Sequence, residues 1–575
     1  MTSSHARPWT AGYAPGVPAD IQPPEKSLAH LIEESVDAYR SHVALEFFGA
    51  TTTYAELGDQ IARVAHALHK LGVGKGDRVA IVLPNCPQHV VAFYAVLRVG
   101  AIVVEHNPLY TAREMRHQFE DHGAHVAIVW DKVVPIVREL PRDLEVTTVV
   151  SVDITRAMSL SRRAALRLPV PAAQQARSKL TTDIRGGIRW ERLLKTRPIR
   201  RSSPRPQPQD LALIQYTSGT TGTPKGAMLT HANLVANAAQ ARAWVPMIER
   251  GTSVVYAVLP LFHAYGLTLS LTFAMSMGAR LVLFPAFDPA LVLPVIKKRP
   301  PTFLPAVPPI YERLLAAAKA KNVSLSGIRI AISGAMNLPQ SIVHAWEEQT
   351  GGYLVEGYGL SECSPVLMAN PVGATRREGT VGLALPSTEL RVVDPDDPST
   401  DLPAGAEGEL LVRGPQVFSG YWRRPDETAR VLTPDGWFRT GDIVTMDADG
   451  FVRVVDRIKE LIITGGFNVA PTEVEDMLRG FEGIADVAVV GVPHERGGED
   501  VVAAVVMEPG ASFDAEAVRA FARESLTPYK VPRRVVQVTQ LPKSLVGKVL
   551  RKQVRELLLQ DDGLPGDAGR APQRG

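Results

Sequence analysis

The sequence predicts an α/β fold: a large N-terminal domain of helix-covered sheets, a small β-rich subdomain within it, and a small α+β domain at the C-terminal end. Three observations carry this. Before about Pro386, short apolar runs alternate with amphipathic helical stretches, the pattern of parallel strands joined by crossover helices. Beyond it, short strands separated by Gly, Pro and Asp turns take over. From Leu461 onward, strands and helices again share one compact stretch.

Taken in order, Arg78–Leu83 is a buried strand, and Val90–Val99 after it repeats apolar residues at helical spacing. Ile102–Glu105 is the next strand. Ala112–His122 follows as a helix with Glu114, Arg116, His117 and Glu120 on its wet face. Ala127–Trp130, Leu211–Gln215, Arg280–Phe284 and Ile328–Ser333 continue the strands. Thr252–Ala279 is poor in charge, but Pro260, His263, Gly266 and several hydroxyls interrupt it. A membrane span needs about 20 predominantly apolar residues, so this stretch reads as strand, loop and buried helix. Glu389–Val393, Gly408–Val412 and Phe451–Val455 form the β-rich part. Ala485–Val492 and Val501–Met507 are strands of the last unit, with helices near Pro471–Arg479 and Asp514–Ser525. Asp561–Gly575 reads as a disordered tail.

A length of 575 residues suggests about four domains, or fewer larger ones. Apolar residues at 45% and charged residues at 21% exclude wholesale disorder. Two cysteines, Cys86 and Cys363, cannot build a disulfide framework or a structural zinc site, which points to a reducing compartment. The N-terminus has no apolar run after its first basic residues, so neither a secretory signal nor an anchor is expected, and the location expected is cytoplasmic. A net charge of +3 argues for neither nucleic acid nor membrane. That total hides an asymmetry. From Arg156 to Arg205, fourteen Lys or Arg face only Asp183 and Glu191, so this window carries +12 and the rest of the chain −9. It is either a solvated basic insertion or a surface held peripherally against anionic headgroups on the cytoplasmic membrane face.

Four segments carry chemistry. Tyr216–Gly226 (YTSGTTGTPKG) follows a strand and packs three Gly, five hydroxyls and Lys225 into eleven residues. Such a loop can wrap backbone amides around phosphate, with Lys225 as a point charge; the plain alternative is a flexible surface loop. Glu356–Pro365 (EGYGLSECSP) offers Gly357 and Gly359 for close backbone approach, Tyr358 to stack on a base, the Ser361 hydroxyl, and Glu362 as a hard oxygen ligand suited to Mg²⁺. Cys363 beside it is read as a small packed residue rather than a nucleophile. Gly436–Asp442 (GWFRTGD) with Asp456–Glu460 supplies a carboxylate, Asp442, for ribose hydroxyls, and Arg457 for the same sugar or a phosphate. Pro542–Lys552 (PKSLVGKVLRK) is a basic loop whose Gly547 lets Lys548 project. Either of the last two alone could be a solvated charged turn.

Together, and in this order, the four segments resemble the core motifs of the acyl-adenylate-forming (AMP-binding) superfamily, from about Ser27 to Leu559. Within it the chain is most similar to bacterial long-chain fatty-acid–CoA ligases, through Asn107–Tyr110, Pro260–Gly266 (PLFHAYG), Ser333–Met336 (SGAM) and Tyr358–Pro365. The resemblance implies two helix-covered sheets in the large domain and a small domain that rotates on a hinge. It implies an N-terminal extension over 1–26 and an AMP- and acyl-binding domain over 27–458, with the basic insertion at about 155–205. A small domain over 459–560 and a tail over 561–575 complete the chain. It implies ATP and Mg²⁺, with CoA as co-substrate and a fatty acid as the group activated, and no nucleic acid.

By the same resemblance Thr217, Ser218, Gly219, Thr220, Thr221, Gly222 and Lys225 hold the triphosphate, and Thr217 with Glu362 holds Mg²⁺. Gly334, Ala335, Met336 and Glu356, Gly357, Tyr358, Gly359, Leu360, Ser361 line the adenine and α-phosphate site. Asp442 and Arg457 bind ribose, Lys459 is the hinge, and Lys548 is the adenylation lysine. Gly465 and Gly466 border the pantetheine tunnel. His263 is either a satisfied core histidine or an aromatic gate between acyl pocket and CoA tunnel. Ser361 replaces the commoner Thr and keeps the hydroxyl. Ile463 and Gly465 stand where plant aromatic-acid ligases have lysines, and Ser544-Leu545-Val546 precedes Gly547 where small polar residues are usual.

No catalytic base is needed, because a fatty carboxylate is already ionised near neutrality. The alternatives left open are an adenylating ligase for a medium-chain, aromatic or carrier-protein-directed acid, and, from another class, a non-catalytic nucleotide-binding membrane scaffold. Oligomeric state, a homodimer included, is not readable from the sequence.

Overall fold

The computed structural model describes residues 7–561 apart from 142, 145, 218–223, 465–466, 495–498 and 545–546. Two large sheets dominate. The first has nine strands in the spatial order Leu383–Ala384, Val366–Ala369, Tyr353–Gly359, Ile330–Ser333, Phe303–Ala306, Val254–Ala257, Arg280–Leu283, Val43–Phe47, Ala50–Thr53. Its six middle strands are parallel, and only the edges run antiparallel. The second has seven: Ile188–Arg189, Thr148–Val152, Val126–Trp130, Arg78–Val82, Ile102–Glu105, Leu211–Thr217, Lys225–Thr230. All pairs are parallel except the last, an antiparallel hairpin. A four-stranded sheet of Glu389–Val393, Glu407–Arg413, Phe438–Met446 and Val452–Arg457 forms the β-rich part.

The expected elements are found. Strands buried on both faces read as continuous apolar runs, which is why Arg78–Leu83 is observed as Arg78–Val82 with Val79 to Val82 fully buried. The helix Pro87–Arg98 has all twelve residues buried. Ala112–His122 has the expected bounds, because Thr111 and Glu114 form a capping box and Gly123 closes the helix at φ 59°. Thr252–Ala279 resolves into the strand Val254–Ala257 and a buried helical run with a π-helical stretch over Leu267–Thr272. No helix among the described residues is long and apolar enough to cross a membrane.

The chain forms two compact units. The first comprises 1–391, 411–439 and 448–452, and the second 392–410, 440–447 and 453–575. In the first, residues 7–26 are tied down: Trp9 is buried, the Tyr13 hydroxyl donates to the Ala384 carbonyl, and the Ile21 amide donates to Ser387 Oγ.

In the second unit Ile484–Pro493 pairs antiparallel with Glu499–Met507, which pairs parallel with Arg534–Gln537. Both faces of this sheet are covered. Val487, Val489, Val501, Ala503 and Val505 pack with Val474, Leu478, Val518 and Ala522, while Ala488, Val490, Val502 and Ala504 pack with Val554 and Leu558. The period-two alternation of a strand sends neighbours to opposite cores. The helices Pro471–Leu478 and Ala515–Ser525 therefore lie on one face and Arg551–Asp561 on the other.

Candidate active site

In open α/β sheets ligands bind beyond the carboxyl ends of the parallel strands. The expected site residues of the first unit gather at such ends. Gly334, Ala335 and Met336 follow the strand Ile330–Ser333, and Glu356 to Gly359 close the neighbouring strand. His263 follows Val254–Ala257, and Thr217 ends Leu211–Thr217. Ala335 takes φ 66°, a conformation that residues with a side chain rarely adopt. Gly359 cannot carry a side chain, since a Cβ there would lie 2.0 Å from the Pro365 carbonyl oxygen. Leu360 donates its amide to the same oxygen at 3.0 Å.

The Tyr216–Gly226 segment begins and ends as paired strand, with Thr217 opposite Lys225 in the hairpin register. Ser218, Gly219, Thr220, Thr221 and Gly222 lie outside the described residues. Lys225 pairs with Glu427, and its ammonium stands 5.2 Å from the centroid of the Tyr421 ring. The Tyr421 hydroxyl donates to Glu362 Oε1 at 2.8 Å, and the Phe418 amide donates to the Glu362 carbonyl. Glu362 and Tyr421 are each about 8% exposed. One tyrosine thus joins the cation and the carboxylate that the sequence singled out 137 positions apart. Burial and the Glu362 charge both push the Tyr421 hydroxyl up, so it stays a donor. Tyr421 and Glu427 were not legible as site residues, because their sequence spacing to Lys225 and Glu362 has no period.

Tyr216 carries a second layer. Its hydroxyl donates to Asp121 Oδ2 at 2.7 Å, and its ring stacks near His106, itself stacked on Phe119. Gln215 donates from Nε2 to the Phe262 carbonyl at 3.0 Å, tying the seven-stranded sheet to the loop that bears His263. His263 Nδ1 accepts the Tyr265 amide, which leaves the ring proton on Nε2. Burial pushes the imidazole down to about 4, so it is neutral near pH 7. The Tyr265 hydroxyl is held by the Ala306 and Ile332 carbonyls. Glu356 is buried, and that burial raises its carboxyl to about 8, so it is mostly protonated at neutral pH. Cys86 and Cys363 are both buried.

The remaining expected residues belong to the second unit. Asp442 lies on the strand Phe438–Met446, not on a solvated turn; it is 2% exposed and accepts from Arg457 Nε at 2.9 Å. Lys548 precedes Val549, which bridges to Lys543; its amide donates to Ser544 Oγ, and Gly547 takes φ 82°. Burial lowers its ammonium below the ordinary range, Arg457 pushes the same way, and Glu460 and Asp442 oppose. Lys459 lies in the turn Ile458–Glu460. The Arg551 guanidinium clamps that turn: it forks onto Glu475 at 3.1 and 2.8 Å, donates to Thr472, and pairs with Asp456 and Glu460. Gly465 and Gly466 lie outside the described residues.

The donors present suit Mg²⁺. Among the described residues no group of three or more His, Cys, Asp or Glu is placed to hold a metal. A hard cation on Glu362 would take its other ligands from hydroxyl, phosphate oxygens and water, the usual manner of Mg²⁺.

Strand-end glycines, the paired ends of the Thr217–Lys225 hairpin and the buried Glu362 carboxylate suit a nucleotide-handling enzyme. The AMP-binding enzyme family matches residues 32–422, and its C-terminal domain family matches 473–548. The chain belongs to the AMP-binding enzyme family. It is 38% identical over 558 residues to the long-chain-fatty-acid–CoA ligase of Bacillus subtilis, covering 96% of this chain and 98% of that one. Among solved structures it is similar to ATP-bound MatB from Rhodopseudomonas palustris, with TM-score 0.77, 31% identity and coverage of 92% and 98%. It is also similar to the anthranilate CoA ligase AuaEII in complex with anthranoyl-AMP, with TM-score 0.80, 25% identity and coverage of 94% and 99%.

Proposed function

We propose that the chain is an ATP-dependent long-chain acyl-CoA synthetase, which converts a fatty acid, ATP and CoA to acyl-CoA, AMP and pyrophosphate. The observation that carries the chemistry is the convergence of Lys225 and Glu362 on Tyr421 at the strand ends. The acid class is supported by the near-full-length likeness to a ligase of that name.

In the first half-reaction a carboxylate oxygen attacks the α-phosphorus in line, and the bond to the β-phosphate oxygen breaks. The work left to the protein is positioning and charge stabilisation. Thr217, the hydroxyls and amides of 218–222, and Lys225 hold the triphosphate, with Lys225 exchanging Glu427 for a phosphate oxygen. Glu362 and Thr217 hold Mg²⁺, which when bound neutralises phosphate charge. Gly334 to Met336 and Glu356 to Ser361 receive adenine and the α-phosphate, and Asp442 with Arg457 receives the ribose hydroxyls. Lys548 adds charge to the departing pyrophosphate. In the second half-reaction the CoA sulfur attacks the acyl carbon, the carbon–oxygen bond to AMP breaks, and the thiol proton passes to solvent. His263 is neutral, with its Nδ1 already engaged, and acts as a gate between acyl pocket and thiol path rather than as a base. Rotation about Lys459 exchanges Lys548 for the tunnel bordered by Gly465 and Gly466, a gating motion between half-reactions.

The insertion at 156–205 is proposed to rest against anionic membrane. Leu160, Leu168 and Val170 are 79, 54 and 45% exposed among its arginines, an apolar and basic combination suited to a headgroup layer. Cosedimentation with anionic liposomes, with and without residues 156–205, tests this; unchanged binding returns the insertion to a solvated loop.

The reaction is tested by ATP–pyrophosphate exchange across straight-chain acids from acetate to arachidate, and aromatic acids. Exchange peaking at chains of twelve or more carbons is expected. No exchange with any of these sinks the long-chain reading, and a peak at benzoate or anthranilate moves the chain to an aromatic-acid ligase.

A further inference from the structure

A cavity of about 140 Å³ opens far along the seven-stranded sheet from the hairpin, where the basic insertion folds back over the strands Val126–Trp130 and Thr148–Val152. Its walls carry five arginines and four acids. Four of these charges answer one another: Arg156 pairs with Asp153 at 3.4 Å and Arg177 with Asp183 at 3.5 Å. Among the described residues no ion pair takes up Arg163, Arg167 or Arg189.

The acids left over are incomplete in the opposite sense. Asp131 is 3% exposed; its Oδ2 accepts the Thr181 hydroxyl and the Thr182 amide, while its buried Oδ1 has no partner. Glu191 Oε1 is likewise buried without a partner. A buried carboxylate oxygen without a donor is costly, of order 1–3 kcal/mol. Burial pushes the Asp131 carboxyl up to about 6. Three arginines outside any ion pair and two carboxylates that each keep one buried oxygen without a donor are thus among the residues around one small cavity.

We propose that this cavity binds a small zwitterionic phosphate ester, one that carries a primary ammonium group. Arg163, Arg167 and Arg189 take the phosphate, for which the planar guanidinium fork is well matched. Asp131 Oδ1 and Glu191 Oε1 take the ammonium, whose three N–H donors supply what these oxygens lack. A metal ion is a poorer occupant, since no group of three metal-type ligands exists among the described residues. The size agrees: a cavity near 150 Å³ accepts benzene, so this one has room for roughly six to ten non-hydrogen atoms. The assignment does not rest on the ligase chemistry and stands or falls separately from it. The ester can be a free metabolite or the headgroup of a lipid.

The test is calorimetric titration of the full chain with O-phosphoethanolamine, phosphocholine and inorganic phosphate. Phosphoethanolamine should saturate one site. Phosphocholine should bind at least about tenfold more weakly, because its quaternary ammonium has no N–H to donate. Asp131→Asn should close that gap, and the exposed Arg167→Ala should weaken phosphoethanolamine at least about tenfold, with thermal melting confirming that each variant folds. Equal affinity for phosphocholine or bare phosphate overturns the proposal, as does absence of saturable binding. Flotation with phosphatidylethanolamine against phosphatidylcholine vesicles separates the sources. Selective flotation, competed by free phosphoethanolamine, identifies the lipid headgroup; phosphoethanolamine binding without it identifies the free ester. Either upholds the site.

Discussion

The two edges of the seven-stranded sheet are both cationic and solve opposite problems. At one edge Lys225 is answered by Glu427 and by the Tyr421 ring, and Glu362 by the Tyr421 hydroxyl. At the other, Arg163, Arg167 and Arg189 line a cavity and take part in no ion pair among the described residues. The insertion at that edge is lightly packed: its helix Pro171–Leu180 buries nothing. The first edge is part of the packed body. The second is an addition joined to it by a few anchors, so its charges are free to serve a ligand without weakening the core.

The largest effect expected is at the first edge and at the lysine of the second unit. Lys225→Ala or Lys548→Ala should slow adenylation at least about a hundredfold, the scale of losing one preorganised charge at a reacting phosphate. Pyrophosphate exchange measures it. With Lys548→Ala, acyl-adenylate supplied from outside should still give thioester. Loss of phosphoethanolamine binding in Lys225→Ala would show that the two edges are not independent.

The anchor of the insertion comes next. Arg98 is 2% exposed, pairs with Glu33 at 2.7 Å, and donates to the carbonyls of Arg200, Ser203 and Pro204. Arg98→Ala should cost about 3 kcal/mol, since it leaves a carboxylate and several carbonyls unanswered. Urea unfolding measures this, and a loss below about 1 kcal/mol would mean the far edge is held by other contacts. Tyr421→Phe removes one donor from buried Glu362 and should cost about 1–2 kcal/mol. It should also change the Mg²⁺ concentration needed for half-maximal exchange, which a merely structural tyrosine would not.

A further effect, on pH dependence, comes from a buried carboxyl. Glu356 has its carboxyl raised by burial to about 8, so between about 4.3 and 8 the folded chain holds a proton that the unfolded chain has lost. Stability therefore falls as pH rises through that window and levels off above it. Glu356→Gln should flatten the slope, read from denaturant midpoints between pH 5 and 8. An unchanged slope would assign the pH response elsewhere.

Much of this was legible in the sequence, and for a physical reason. Strands covered on both faces must be apolar throughout, so Arg78–Val82 and Ile102–Glu105 announced themselves, and the capping box at Thr111 and Glu114 fixed where Ala112–His122 begins. Lys225, Glu362 and Asp442 stood out as candidates because phosphate and sugar chemistry calls for such groups beside glycines. Tyr421 was not, because a tyrosine 59 residues beyond Glu362 is joined to it only by tertiary packing. Asp131 was missed for the same reason. The charge excess of 156–205 drew attention to the insertion, but the carboxylate it covers follows the strand Val126–Trp130, upstream of that window.

The bond from Gln215 to the Phe262 carbonyl has a consequence for exchanging parts between relatives. The loop Pro260–Gly266 carries His263, while the amide that fixes its carbonyl belongs to the strand leading into the hairpin at Thr217 and Lys225. Gly266 is equally constrained, since a Cβ there would lie 2.2 Å from the Pro260 carbonyl oxygen. A loop transplanted to alter acid preference therefore brings its Phe262 carbonyl to a donor it did not evolve with, and its effect will not add to changes made near residue 215. The loop that bears His263 and the strand that ends at Thr217 are coupled through that one hydrogen bond.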